Sequence, residues 1–215
     1  MSGEAIPDGR PLMGRTEAPR LVLASESRMR RRMFEAAGLV ATAEAAHIDE
    51  AEVKTSLLAD GAGFEDIPEV LAEMKARKVS ERHPGALVIG GDQVLVCEGR
   101  LYDKPASREE ARAHLRELRG RQHALVACAV VVRDGVRLWH HTGTARLTMR
   151  LFGDGFIDHY LDAVGPRAFE SVGAYQIEGP GAQLFQKMEG DPYTIWGLPL
   201  LALLEFLREH GVVER

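Results

Sequence analysis

Apolar and polar positions fall in blocks along the chain, and the blocks predict its elements. Leu21 to Ala24 is an unbroken apolar run, which suits a buried strand. Ser25-Glu26-Ser27 breaks it, and Met29, Met33, Phe34 and Ala37 then recur at helical spacing as far as Gly38. A weaker strand is expected over 41–47, ending in the acidic cluster Asp49, Glu50 and Glu52. Val70, Leu71, Met74 and Val79 predict a helix over 67–82, with Pro68 in its first turn. Residues 86–90 read as an apolar strand stopped by Gly90-Gly91-Asp92. A second strand over 93–100 would follow, with a turn at Glu98-Gly99. Ser107 and Glu110 form a capping box for a helix to Leu118, whose stripe is Ala111, Leu115 and Leu118. Residues 124–149 read as a hairpin turning at Asp134-Gly135. A helix over 154–164, a glycine-rich region over 173–190 and a last helix over 198–210 complete the pattern. Strands and helices interleave without an internal repeat. The fold class is therefore mixed α/β, with an extended, twisted sheet flanked by helices.

Composition narrows this picture. The 215 residues suit one large domain or two small lobes. The first twenty hold three prolines and no apolar core of a signal peptide, so 1–20 is expected to be a flexible arm. No run has the length and apolarity of a membrane span. Cys97 and Cys128 both sit in apolar runs, which suits reduced core thiols in a cytoplasmic protein. Net charge is −5, so basic clusters are local features on an acidic chain. That favours a small anionic ligand over a stable nucleic acid partner, which usually needs a broad basic face.

One basic cluster is unusual. Arg28, Arg30, Arg31 and Arg32 crowd the first turn of the helix after Ser25 and Ser27. Cations there oppose the helix dipole, whereas an anion would be held by free backbone N–H groups and forked guanidinium donors. Asp92 is a second candidate, a carboxylate after two glycines at a strand end; its bland alternative is a turn residue. Asp49-Glu50 suits magnesium or manganese, and its alternative is a solvated acidic loop. Lys75 and Lys104 are ordinary surface lysines alone but plausible phosphate ligands beside the arginines. Tyr175, Gln176 and Glu178 offer a stacking face and hydrogen bonds to a base, or else Tyr175 and Trp196 belong to the core. No phosphate loop of the GxxxxGK[ST] type, dinucleotide fingerprint, zinc spacing or GxSxG elbow is present.

Taken in order, these motifs resemble the Maf family of nucleoside triphosphate pyrophosphatases over Leu21 to Gly211. LASESRMRR resembles the family's LAS-x-S-P-x-R-R turn, with Arg30 and Arg31 as the paired arginines. Asp49-Glu50 matches its acidic pair, LAEMKA its LA-x-x-KA helix, VIGGDQV its catalytic strand and Lys104-Pro105 its K-P dipeptide. VGAYQIEGPG and GLPLLALL match its C-terminal signature. The resemblance implies a single domain over 21–212, folded like the Maf and inosine triphosphate pyrophosphatases, with two lobes around a nucleotide cleft. It implies cleavage between the α and β phosphates to give a monophosphate and pyrophosphate, in the clearance of modified nucleotides. Asp92 would be the catalytic proton acceptor; Glu50 and Asp92 would hold a divalent cation, magnesium or manganese. Ser25, Ser27, Arg30, Arg31, Lys75 and Lys104 would bind phosphates. Met29, Gln93 and Glu178 would face the base. Gln93 and Glu178 are closer to the 7-methyl-GTP branch than to the dTTP and UTP branch. Arg28, in place of the family proline, and Met29, in place of an aromatic, depart from that pattern. The resemblance also suggests a homodimer. The rival reading is a nucleotide-binding regulator of cell division without turnover.

Overall fold

The computed structural model describes residues 18–214, so the arm expected over 1–20 lies almost wholly outside the described residues. In chain order the elements are β1 (Leu21–Ala24), α1 (Arg28–Ala36), β2 (Ala41–Ala43), α2 (Glu50–Ala59) and α3 (Asp66–Ser80). Next come β3 (Leu87–Cys97), β4 (Arg100–Tyr102), α4 (Arg108–Leu118), β5 (Gln122–Arg133) and β6 (Val136–Met149). The chain ends with α5 (Asp154–Val164), β7 (Phe185–Glu189), α6 (Pro192–Ile195) and α7 (Leu200–Glu209). Among the described residues the strands form one sheet in the order β2-β1-β3-β5-β6-β7, with β4 paired to β3. β1 runs parallel to β2 and β3, and the remaining pairs are antiparallel. The expected mixed sheet, flanked by helices, is present.

The long strands carry a core at each end. At one end β1 is buried on both faces, which explains its unbroken apolar run. Leu21 and Leu23 pack with Phe34, Ile89, Leu203 and Phe206 of the α1 and α7 side. Val22 and Ala24 pack with Ala76, Val79, Val88 and Val130 of the α3 side. At the other end Leu95, Leu115, Leu118, Leu125, Leu147, Ile157 and Leu161 bring α4 and α5 onto the sheet. Asp92 stands on β3 between Ile89 of the first core and Leu95 of the second.

Three expectations need correction, and one region left without elements gains them. Residues 87–97 form one continuous strand, not two, because Gly90 and Gly91 stay in the ladder opposite Val130 and Ala129. The glycines serve close packing rather than a turn. The strand expected over 41–47 is only Ala41–Ala43, an edge strand paired along β1. The acidic cluster is not a loop: Asp49 caps α2 by accepting from the Glu52 N–H at 3.0 Å. Glu50 and Glu52 then sit favourably in the first turn. α2 has no fully buried residue to give it a visible stripe, although Val53 and Leu57 lean on Ile67, Leu71 and Val94. Lastly, the glycine-rich region contains β7, which pairs with β6, and short 3-10 turns. The hairpin turn matches its dipeptide signal: Asp134 and Gly135 both have positive φ, 49° and 76°. Cys97 and Cys128 are buried free thiols.

His123 lies inside the second core, with Nε2 2.9 Å from the Tyr175 hydroxyl and Nδ1 without a partner. Burial pushes its pKa down to about 4. The unfolded chain therefore takes up a proton below its ordinary value, about 6.5, that the folded chain refuses. Stability is full above that value and falls as pH drops towards 4, by roughly 3 kcal/mol in total. Urea unfolding at neutral pH and near pH 5 should show a larger acid loss in the parent than in His123→Gln; parallel losses would contradict the assignment.

Candidate active site

The site begins with two glycines. Gly90 and Asp92 project to the α3 face of β3, and Gly91 and Gln93 to the opposite face. A Cβ on Gly90 would overlap the Ala72 carbonyl oxygen and sit 3.0 Å from the Ala76 Cβ. Its absence lets the α3 backbone lie against the strand, and this delivers Lys75, one turn along, to Asp92. A Cβ on Gly91 would meet Leu198 Cδ1 at 2.8 Å and Arg30 Nε at 3.2 Å. Arg30 therefore occupies space that any larger residue would take.

Lys75 links two carboxylates. Its Nζ is 2.6 Å from Asp92 Oδ1 and 2.7 Å from Glu50 Oε1. Asp92 is 5% exposed, and its second oxygen, Oδ2, is buried without a hydrogen-bond partner. The environments push the two acids apart. Burial raises Asp92 more than Lys75 and Arg30 lower it, and the Glu50 charge adds to the rise. Burial also raises Glu50, but Lys75, with Lys54 and Lys104 behind it, outweighs burial and leaves it below its ordinary value. One carboxylate is thus fixed as an anion while the other moves towards the range of a useful proton acceptor.

The arginine turn divides. Ser27 caps α1, accepting from the Arg30 N–H at 3.3 Å. Ser25 is buried; its hydroxyl accepts from the Ser27 N–H and from Arg30 Nη1, both at 3.2 Å. Arg30 Nε also donates to the Gly197 carbonyl at 2.8 Å. Burial lowers the Arg30 pKa, opposed by Asp92 and Glu50. Its charge lies beside the carboxylates. Arg31 is exposed and reaches back to the Glu26 carbonyl. Arg28 is exposed and grips Glu170 through both carboxylate oxygens.

The other expected residues are more scattered. Lys104 is exposed in the β4–α4 loop, close enough for its charge to act on Glu50. The Gln93 amide donates to the carbonyls of Thr194 and Ile195 at 2.9 and 3.1 Å, tying β3 to α6. Met29 packs at the margin of the α1 and α7 core. Tyr175 and Gln176 are interior: the Tyr175 ring packs on His123 and Phe185, and the Gln176 amide binds Arg167 O and Ser171 Oγ. Neither offers the stacking face expected of them. Glu178 is exposed near Tyr160. Two neighbours of these groups were not among the expected site residues. They are the Gly197 carbonyl, which orients Arg30, and Lys54, one turn after Glu50 on α2. Helical spacing from Glu50 could have marked Lys54 had α2 been recognised.

Among the described residues no three or more histidine, cysteine, aspartate or glutamate side chains gather into a metal cage. No described helix is long and apolar enough to cross a membrane.

Several known proteins are similar to this chain over nearly its whole length. A nucleoside triphosphate pyrophosphatase of Paramagnetospirillum magneticum is 54% identical over 190 residues, covering 88% of this chain and 98% of the relative. One from Rhodospirillum rubrum is 50% identical over 91% of this chain and 96% of its own. A 7-methyl-GTP pyrophosphatase of Mesorhizobium japonicum is 51% identical over 91% and 98%. The model of the Maf-like protein family matches residues 20–210, and the chain belongs to that family.

Proposed function

We propose that this chain hydrolyses nucleoside triphosphates between the α and β phosphates, giving a nucleoside monophosphate and pyrophosphate. The observation that carries the reading is the buried Asp92 carboxylate, with Oδ1 paired to Lys75 and Oδ2 free. Its two oxygens divide the work. Lys75 holds the group in place through Oδ1, and Oδ2 is the remaining acceptor. A water oxygen bonds to a phosphorus flanking the α–β bridge, its proton passes to Asp92 Oδ2, and the bridging P–O bond breaks. The raised Asp92 pKa suits that transfer better than an ordinary aspartate would. Arg30, Lys75 and Lys104, with the Ser25–Ser27 turn and Arg31 at its rim, supply positive charge and donors to the phosphates. Positioning and charge stabilisation supply most of the catalysis in phosphoryl transfer.

A divalent cation fits the donor set. The ionised Glu50 is a hard oxygen donor, and Asp92 Oδ2 would be a second only while it is not accepting the water's proton; magnesium or manganese is commonly held by one or two carboxylates plus substrate phosphates. When bound, such an ion neutralises phosphate charge and acidifies water.

For the base, a modified purine such as 7-methylguanine is the reading we favour. Glu178 is exposed and acidic, as an acceptor for the guanine N1–H and amino group must be. Met29 is kept as a specificity residue at the margin of the α1 and α7 core, while Gln93 acts by holding α6. The chain would serve in the cytoplasm, as a homodimer, in clearing such nucleotides. The test is purified protein with magnesium or manganese and a panel of dTTP, UTP, GTP and 7-methyl-GTP. Pyrophosphate and monophosphate should appear, fastest from 7-methyl-GTP. Orthophosphate release would overturn the assigned bond, and a pyrimidine preference would overturn the base. Tight binding without turnover would instead favour the regulator of cell division.

A further inference from the structure

The geometry points to Lys54 as a ligand of the departing pyrophosphate, an additional positioning residue at the same site. The inference rests on the proposal that the α–β bond breaks beside Asp92. Lys54 follows Glu50 by four residues on α2, so the two side chains share a face of that helix. Glu50 is anchored beside Asp92 by Lys75, 2.7 Å from its Nζ. Lys54 is therefore one turn along from the reaction centre. Its stem lies against protein, leaving the side chain only 16% exposed, and its ammonium is held by Asp103. Asp103 precedes Lys104, whose charge also reaches Glu50. Two lysines from different elements, α2 and the β4–α4 loop, thus bring positive charge to Glu50.

The partner explains how Lys54 becomes available. Asp103 is 63% exposed, so its carboxylate can turn into water without leaving a buried anion unpaired. Lys54 cannot move away as easily, because its stem is packed. A pair whose carboxylate is this exposed is readily exchanged for water, whereas charge-assisted bonds to phosphate oxygens are strong. A triphosphate whose bridge lies at Asp92 carries its β and γ phosphates outward. Lys54 and Lys104 would receive them, with Asp103 displaced. In the empty site Asp103 keeps the Lys54 ammonium satisfied and in position.

The competing explanation is that Lys54–Asp103 only pins α2 to the loop. Inhibition by pyrophosphate in the presence of magnesium separates the two. Lys54→Met should weaken pyrophosphate inhibition by roughly ten- to a hundredfold, the loss of a bond to a charged group. Inhibition by the nucleoside monophosphate should stay unchanged, and Lys54→Arg should restore much of the lost affinity. Asp103→Asn should leave pyrophosphate binding intact or tighten it, since a competitor is removed. Equal effects of Lys54→Met and Asp103→Asn, or a Lys54→Met enzyme with parental pyrophosphate inhibition, would overturn the assignment. A parent enzyme that releases no pyrophosphate from triphosphates would overturn the underlying cleavage reading instead, so the two failures are distinct. Thermal melting of both variants shows whether α2 stays docked.

Discussion

Asp92→Asn should reduce kcat by about a thousandfold or more while leaving the protein as stable as the parent, or more stable. The catalytic half follows from the geometry. The amide keeps the shape of the carboxylate and accepts from Lys75 at Oδ1, but it puts an amine where the partnerless Oδ2 now stands. It cannot take a proton from water, and it is a poor donor to a cation. Loss of a positioned proton acceptor typically costs 10²–10⁴-fold, and loss of a cation ligand adds to that. The stability half follows from the direction of the Asp92 pKa, which burial raises despite Lys75 and Arg30. A carboxyl with a raised folded pKa opposes folding when ionised, and stability is recovered as pH falls through that value. Asparagine removes this cost. Lys75 is not abandoned, because Glu50 remains 2.7 Å from its Nζ. Pyrophosphate release and a melting curve measured on one preparation check both halves. Full activity would remove Asp92 from the chemistry. A large drop in melting temperature would show that the Lys75–Asp92 pair is needed chiefly for folding.

The legibility of the sequence differed by element, for physical reasons. The helix over Asp66–Ser80, the helix over Asp154–Val164 and the hairpin around Asp134-Gly135 were readable because each has a strong periodic face or turn signal. α2 was hidden because it buries no residue fully and rests on the core through only two side chains. Its cap was present in the sequence, but Asp49-Glu50 read as a metal pair or an acidic loop, and no helix was expected after it. Gly90-Gly91 was misread as a strand end because glycine marks both turns and close packing, and only the approach of α3 distinguishes them. At the site, Asp92, Lys75, Glu50 and Arg30 are brought together, as motif order suggested. Motif order could not tell that Arg30 faces inward and Arg31 outward, since that depends on the Gly197 carbonyl 167 positions away. Tyr175 and Gln176 carried a plausible base-binding signature, yet their polar groups are used inside the second core.

Gly90→Ala should be the most damaging single-methyl addition in the protein's active region, affecting stability and activity together. β3 has ordinary extended backbone at Gly90, so alanine is not excluded by its φ. The obstacle is α3. The added methyl would overlap the Ala72 carbonyl oxygen and come within 2.9 Å of the Ala72 carbonyl carbon. These are backbone atoms of a helix docked by Leu71, Ala72, Ala76 and Val79, all fully buried. They cannot rotate aside as a side chain can, so the helix must shift as a body or the strand must bend. Overpacking of this kind costs about 3 kcal/mol, in the upper part of its usual range because backbone is involved. The same shift carries Lys75, three residues after Ala72, away from Asp92 and Glu50. A displacement near 1 Å can cost about a hundredfold in rate, so kcat should fall in the fraction that remains folded. Gly155→Ala is the control: it lies in α5 with nothing within 4 Å of the new methyl. Alanine is the better helix former there, and stability should rise by about 0.5–1 kcal/mol with activity unchanged. Urea unfolding and pyrophosphate release on both variants decide the matter. A Gly90→Ala protein with parental stability would mean that α3 yields at little cost. One with lost stability but parental kcat would mean that the Lys75–Asp92 distance survives the shift, separating the packing role of the glycine from its role in catalysis.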